Sequence, residues 1–253
     1  MMRLLGLLLT TMVALSALAD PARAADDKGA KAVLDKAIEA MGGEAKLGKL
    51  DAFRWKSKGT ITINGTDNAF TMQGAAQGLD RFRSEFETEF DGAKVKGVAV
   101  VNGKKGWRKF GGMGGAMDDD ALANEKRNVY LQIVPITLVS LKGKHFGVAM
   151  GKEEKVAGKP AVGLKVTGPD GKDFNLYFDK KSGLPVKLVA KVLDFAGTEV
   201  TQETVFDAYK DFAGVKKATK AVSKRDGEKF LVVEVTEFEA TPKVDAKTFD
   251  EPK

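Results

Sequence analysis

Histidine occurs once in this 253-residue chain, at His145, and cysteine not at all. Zinc and similar metals are commonly held by clusters of those two residue types, and no such cluster can form here. Ser84, Ser140 and Ser182 stand outside any Gly-x-Ser-x-Gly context that would sharpen a nucleophile. Glu85, Glu87 and Glu89 alternate along one segment with Arg81 and Arg83. That spacing describes an ion-paired exposed strand face rather than two carboxyls tuned apart for acid–base work. Asp118-Asp119-Asp120 offers oxygen ligands to a hard cation, but three consecutive side chains diverge, and acidic residues here suit a helix N-terminus. Met113 and Met117, among four glycines, offer two thioethers without histidine or cysteine. A mobile flap is the better reading of that loop. No catalytic set, metal site or cofactor site emerges, and the chain reads as a non-enzyme.

The chemistry that remains is apolar. Phe53, Trp55, Phe70, Met72, Phe82, Phe86 and Phe90 fall at alternating positions of successive segments. A second set, Tyr130, Ile133, Val134 and Leu138, lies on one later stretch. These residues either form a dry core or line a cavity that takes an acyl chain. Burial of such a chain yields ~0.8 kcal/mol per methylene without any polar recognition.

The elements that must position them follow from periodicity. Leu34, Ile38 and Met41 recur at helical spacing over about 27–41, and Gly42-Gly43 ends that helix. The period then changes to two. Phe53, Trp55, Ile61 and Ile63 oppose Arg54, Lys56, Lys58, Thr60 and Thr62 across one strand. Strands are predicted at 68–77, 80–90, 94–101 and 105–110, the last two joined by Asn102-Gly103. Further strands are predicted at 146–157, 160–167, 173–179, 185–194, 198–208, 215–225 and 229–240. Pro169-Asp170-Gly171, Ser182-Gly183 and Asp226-Gly227 punctuate them. Asn64-Gly65-Thr66 fits a hairpin turn better than a glycosylation acceptor. Between the two runs of strands, Gly111–Met117 reads as a flexible loop that could hinge a helical insert, about 118–141. The insert should sit over or inside a concave sheet, with Pro135 ending or kinking its first helix and well placed to start a second short one through Leu141.

The first 24 residues are predicted to be a signal peptide. Arg3 precedes an apolar run from Leu4 to Leu18, and Pro21-Ala22-Arg23-Ala24 supplies small residues for cleavage near Ala24. Residues 25–253 then form one exported domain, with no stable membrane span. It has no disulfides and no cysteine on which to carry a lipid anchor. The mature net charge is about +5 after loss of Arg3, Arg23 and Asp20. Its lysines are dispersed, which argues against nucleic acid as a partner.

The order of elements resembles the periplasmic outer-membrane lipoprotein carrier and sorting family, the LolA/LolB-like proteins. The resemblance runs through Leu176-Tyr177-Phe178-Asp179-Lys180-Lys181-Ser182-Gly183-Leu184-Pro185-Val186-Lys187. It continues in Asp207-Ala208-Tyr209-Lys210-Asp211-Phe212-Ala213-Gly214-Val215-Lys216 and in Phe230–Thr236, with Ala40-Met41-Gly42-Gly43 near the start. It implies a mainly β fold, a curved antiparallel half-barrel wrapped around helices, with an apolar concave cavity for acyl chains. A lipid or an acylated protein is then the expected partner, in the periplasm. A filled sheet that recruits an envelope protein is the alternative.

Overall fold

The computed structural model describes residues 21–90 and 92–253, with side chains from Lys28 onward and without that of Phe90. The expected signal peptide lies outside the described residues, except for the backbone of 21–24, which opens the first helix.

That helix, α1 (Pro21–Met41), buries Ala30, Leu34, Ala37, Ile38 and Met41 along one stripe. It stops at Gly42 (φ 134°), where a Cβ would collide with the Gly214 carbonyl. Only glycine allows the helix end to approach the sheet so closely. A one-turn helix, α2 (Glu44–Leu47), follows. Six strands come next: β1 (Ala52–Ile63), β2 (Thr66–Gln77), β3 (Arg81–Phe90), β4 (Ala93–Asn102), β5 (Lys105–Phe110) and β6 (Met113–Ala116). Helix α3 (Asp119–Thr137) and a 3-10 turn (Val139–Lys142) form the insert. Seven strands complete the sheet: β7 (Gly147–Val156), β8 (Lys159–Thr167), β9 (Asp173–Asp179), β10 (Pro185–Leu193), β11 (Glu199–Phe212), β12 (Val215–Arg225) and β13 (Glu228–Thr241).

All thirteen strands join one antiparallel sheet in the order β6-β5-β4-β3-β2-β1-β13-β12-β11-β10-β9-β8-β7. The two meanders run outward from a central seam where β13 pairs with β1. β6 and β7 are its edges, so the sheet does not close. It must nevertheless curl. Helix α3 touches both β4 and β10, seven positions apart in the sheet. A flat sheet would separate them by about 34 Å, whereas a helix is only about 10–12 Å across. Register shifts at Lys56/Ser57, Met150/Glu153, Pro185/Lys187 and Ser223/Lys224 supply local bends. The result is an open half-barrel holding α1 and α3 on its concave side.

Two expectations are corrected. The stretch Gly111–Met117 is not a loop throughout: Met113–Ala116 forms β6, paired to β5 from Trp107–Ala116 to Phe110–Met113. Glycines carry no side-chain alternation, so the backbone pairing left no trace in the sequence pattern. The N-terminal meander therefore has six strands rather than about five. Pro135 neither ends nor starts a helix. It lies inside α3, which runs on to Thr137, and Leu138 (φ 50°) makes the break. The three aspartates behave as a helix start: the Asp118 carboxylate accepts the Ala121 amide at 2.8 Å.

Candidate functional site

Register assigns each residue of the N-terminal meander to a face. Phe53, Trp55, Ser57, Gly59 and Ile61 of β1 lie opposite Ala76, Gly74, Met72, Phe70 and Asn68 of β2. Phe82, Ser84, Phe86 and Thr88 of β3 continue those rows, as do Val101, Ala99, Gly97 and Val95 of β4. This is the concave face. The helices cover one end of it. Phe53, Ala76, Phe82 and Val101 belong to the main core, together with Leu34, Ile38, Val129 and Val134. Trp55 and Phe238 seal that core, with the Trp55 ring 5.7 Å from Phe82 and Phe53 5.3 Å from Phe238.

Beyond Trp55 the same face continues without helix cover toward the hairpin tips at 64–65 and 111–112. Three aromatic rings lie against glycines of the neighbouring strand: a Cβ would meet the Trp55 ring at Gly74 and the Phe86 ring at Gly97, and at Gly59 it would meet the Val232 carbonyl first and then the Phe70 ring. The Phe86 ring packs against Phe110, tilted by 37° with centroids 5.8 Å apart. Phe110 is 46% exposed and Met113, its partner on β6, is 76% exposed. Glycine under each ring removes the side chains that would otherwise break the surface. The outcome is a smooth apolar floor, half-open to solvent.

The residues expected to bind an apolar chain therefore divide. Phe82, Tyr130, Ile133, Val134 and Leu138 are fully packed into the core between the helices and the sheet. Trp55 stands at the boundary. Phe70, Met72 and Phe86 belong to the uncovered floor, where Met72 and Phe86 are half-buried and Phe70 is buried. The side chain of Phe90 lies outside the described residues. Sequence reasoning missed Phe110 and Met113 as part of this floor, and the one signal was the alternation of Phe110 with Lys109 on β5.

The insert is tied down at both sides of the sheet. The Arg108 guanidinium on β5 pairs with Glu125 of α3. Arg127, 3% exposed, donates to the Lys191 carbonyl of β10 at 2.8 Å, the Tyr130 hydroxyl at 2.5 Å, Asp170 at 3.0 Å and the Asp173 carbonyl at 3.1 Å. Burial, and then the hydrogen bond with Asp170, push the Tyr130 phenol well above its ordinary range. Tyr130 is a neutral structural hydroxyl at any ordinary pH.

The outer face carries two shallow grooves. One, of about 450 Å³, lies among Arg54, Lys56, Arg83, Glu85, Glu237 and Glu239. The other, of about 560 Å³, lies among Lys58, Thr60, Thr71, Glu87, Glu89 and Lys94. Their charges largely satisfy one another: Lys56 pairs with Glu237 at 2.9 Å, Arg83 with Glu85 at 2.6 Å and Lys96 with Glu87 at 2.6 Å. Burial raises the Glu85 carboxyl, but hydrogen bonds from Gln73 and Arg83, with the charges of Arg83 and Lys96, bring it below its ordinary range. It is held as a carboxylate. His145 is exposed ahead of β7, and the Ser182 hydroxyl is bonded to Asp179 at 2.8 Å within a turn. Met113 projects to solvent while Met117 packs against the core, so the two thioethers do not converge.

Comparison with solved structures defines the fold class. No family model matches the chain, and no curated relative matches it. A LolA superfamily protein from Nitrosomonas europaea superposes with a TM-score of 0.56 at 12% identity, covering 87% of this chain and 97% of that one. A DUF1329 family protein from Desulfovibrio piger gives 0.53 at 15% identity, with the same coverage of 87% and 97%. An outer membrane lipoprotein-sorting protein domain from Vibrio parahaemolyticus gives 0.53 at 11%, again over 87% and 97%. The chain has the LolA-type fold: mainly β, a single open antiparallel sheet around helices.

Proposed function

We propose that this chain is an exported, non-enzymatic binder that carries acyl chains, of a lipid or an acylated protein, on its concave face. The observation that carries the reading is the uncovered aromatic floor, in which Trp55, Met72, Phe86 and Phe110 face solvent in part above glycine-backed strands. A soluble chain rarely leaves contiguous apolar surface open unless something binds there. The apolar N-terminal run supports delivery to the periplasm. Among the described residues no helix is long and apolar enough to cross a membrane. The lipoprotein-sorting description of the Vibrio structure supports an acylated protein as cargo.

The test is mass spectrometry of organic extracts from natively purified protein, together with displacement of a fluorescent fatty-acid probe. Recovered lipid and a probe signal lost in Phe86→Asp are the expected results. Native material free of lipid that also ignores the probe would defeat the reading.

A second reading is an envelope interaction module that uses the sheet surface to recruit a protein. The tight packing of Tyr130, Val134 and Leu138 under the sheet favours it, since that half of the concavity is filled. Crosslinking to an envelope protein in cells, with no lipid in the extract, would select this alternative.

A further inference from the structure

β12 turns one lysine toward the concave side. Its odd-numbered positions face inward: Val215, Thr219 and Ser223 are buried, whereas Lys216, Lys220 and Lys224 are exposed. Lys217 shares the inward positions and is half-buried. Its amine donates to the Ala218 carbonyl at 3.3 Å. Among the described residues no carboxylate is seen to pair with it. Burial pulls the ammonium down to about 8, with no opposite charge acting to restore it. An inward lysine without a counter-ion is costly to the fold and uncommon.

The sheet opens at the same place. β12 and β13 pair from Arg225–Glu228 to Lys220–Glu234 and no further. β13 stays on β1 as far as Thr241–Ala52. Residues 215–219 therefore leave a gap in the ladder, walled by the Phe212 and Phe238 rings, which lie 5.4 Å apart. On β1, opposite Val235, Ser57 is 4% exposed and its hydroxyl has no hydrogen-bond partner. A cation and a hydroxyl with unused bonding capacity thus face the concave interior, where the neighbouring hydroxyls of Thr219 and Ser223 are already bonded, to the Ala208 carbonyl and to Thr204.

We propose that Lys217 receives the anionic head, carboxylate or phosphate, of an acyl-chain ligand entering at the β12–β13 gap. The proposal rests on the acyl-chain reading above and adds a head-group class to it. A charged amine bonded to an anionic oxygen is stronger than a neutral pair, and exclusion of water by the apolar wall strengthens it further. The chain of the ligand is left to the aromatic floor of β1–β3.

The experiment titrates the full chain, Lys217→Met and Lys217→Arg with cis-parinaric acid and with its methyl ester. The wild-type chain should bind the acid about tenfold or more tighter than the ester. Lys217→Met should abolish that preference and leave ester binding unchanged, and Lys217→Arg should retain it. Competition with oleate and with lysophosphatidate then tells which head group is preferred, and stronger competition by either than by methyl oleate supports the proposal. Equal binding of acid and ester by the wild type, or a preference that survives Lys217→Met, overturns the proposal and leaves the acyl-chain reading intact. Competition by sodium acetate as strong as by oleate also overturns it, because the site would then be one for small anions. A wild type that binds neither probe overturns the acyl-chain reading and this proposal with it. If Lys217→Met does not fold, acetylation of Lys217 in the wild type decides. Slowing by oleate but not by methyl oleate supports the proposal, and equal effects of the two overturn it.

Discussion

The Trp55 indole lies against Gly74, directly across the β1–β2 ladder, so that a Cβ at Gly74 would come within 2.2–2.7 Å of three of its ring atoms. This contact sits at the boundary between the helix-covered core and the open floor. It fixes the ring that closes one and begins the other. Gly74→Val should force the indole off the strand. Overpacking of this kind costs about 1–3 kcal/mol. The expected outcome is a lower urea midpoint with a changed near-UV circular dichroism band. An unchanged midpoint and band would mean that the indole does not rest on Gly74.

Arg127 is the central tie between α3 and the C-terminal meander. Its guanidinium reaches β10, Tyr130, Asp170 and the β9 backbone while buried. Removing one partner of a buried charge network leaves the others unpaired, at about 3–5 kcal/mol. Arg127→Met should lower stability by that order, read from urea unfolding. Tyr130→Phe should cost less, about 1–3 kcal/mol, because Arg127 loses one acceptor and Asp170 one donor while the other bonds of both remain. A larger loss in Tyr130→Phe than in Arg127→Met would contradict this ranking.

The same network sets an acid limb. Burial pushes the Asp170 carboxyl up, but hydrogen bonds from Tyr130, the Lys172 amide and Arg127, with the Arg127 charge, bring it below its ordinary value of 3.8. A carboxyl depressed in the folded state stabilises the fold above its unfolded value, and that contribution disappears as pH falls through the folded value. Stability should therefore be flat near neutrality and decline below about pH 4. Asp170→Asn should be less stable than wild type at neutral pH, with the difference shrinking in acid. Parallel pH profiles for the two proteins would remove Asp170 from the acid limb.

The sequence made the floor readable and hid its cover. Phe82 and Phe86 alternate with charged residues, so their shared face follows from period two alone. Whether helices fill the space above that face depends on how far α1 and α3 reach along it. Nothing in the spacing of Tyr130, Ile133 and Val134 distinguishes core from cavity lining. β6 was unreadable because glycine offers no pattern. The C-terminal segment was unreadable for a different reason. Val244 and Phe249 stand far apart among charged residues, yet both are fully buried against Ala52, Ala75 and Val100 on the outer face.

That outer cluster is a second core, and Phe249 is its largest member. Hydrogen bonds hold the segment in place: the Val244 amide donates to Gln77 at 3.3 Å, Asn102 to the Phe249 carbonyl at 3.2 Å and Lys109 to the Pro252 carbonyl at 2.8 Å. Phe249→Ala should cost about 3–5 kcal/mol and release residues 242–253 to proteolysis. Limited digestion followed by intact-mass measurement checks it. A variant as resistant as wild type would show that the segment is held by its backbone bonds alone.

Ile133 separates a lid from a core. It is 2% exposed, beside Val134, in the helix that Glu125 and Arg127 fasten to both sides of the sheet. A lid must open at modest cost, and its amides then exchange by local opening. A core helix exchanges only with global unfolding. The packing and the two fastenings place α3 with the core, so its amides should be protected to the same free energy as those of β9 and β10. Ile133→Asp buries a carboxylate for which the main core, as described, offers no partner, a change that should unfold the domain rather than tune ligand uptake. Hydrogen exchange on the wild type reads the first expectation and the melting of Ile133→Asp the second. Fast exchange confined to 119–137, with a folded Ile133→Asp that takes up probe differently, would restore the lid and make β6 its hinge.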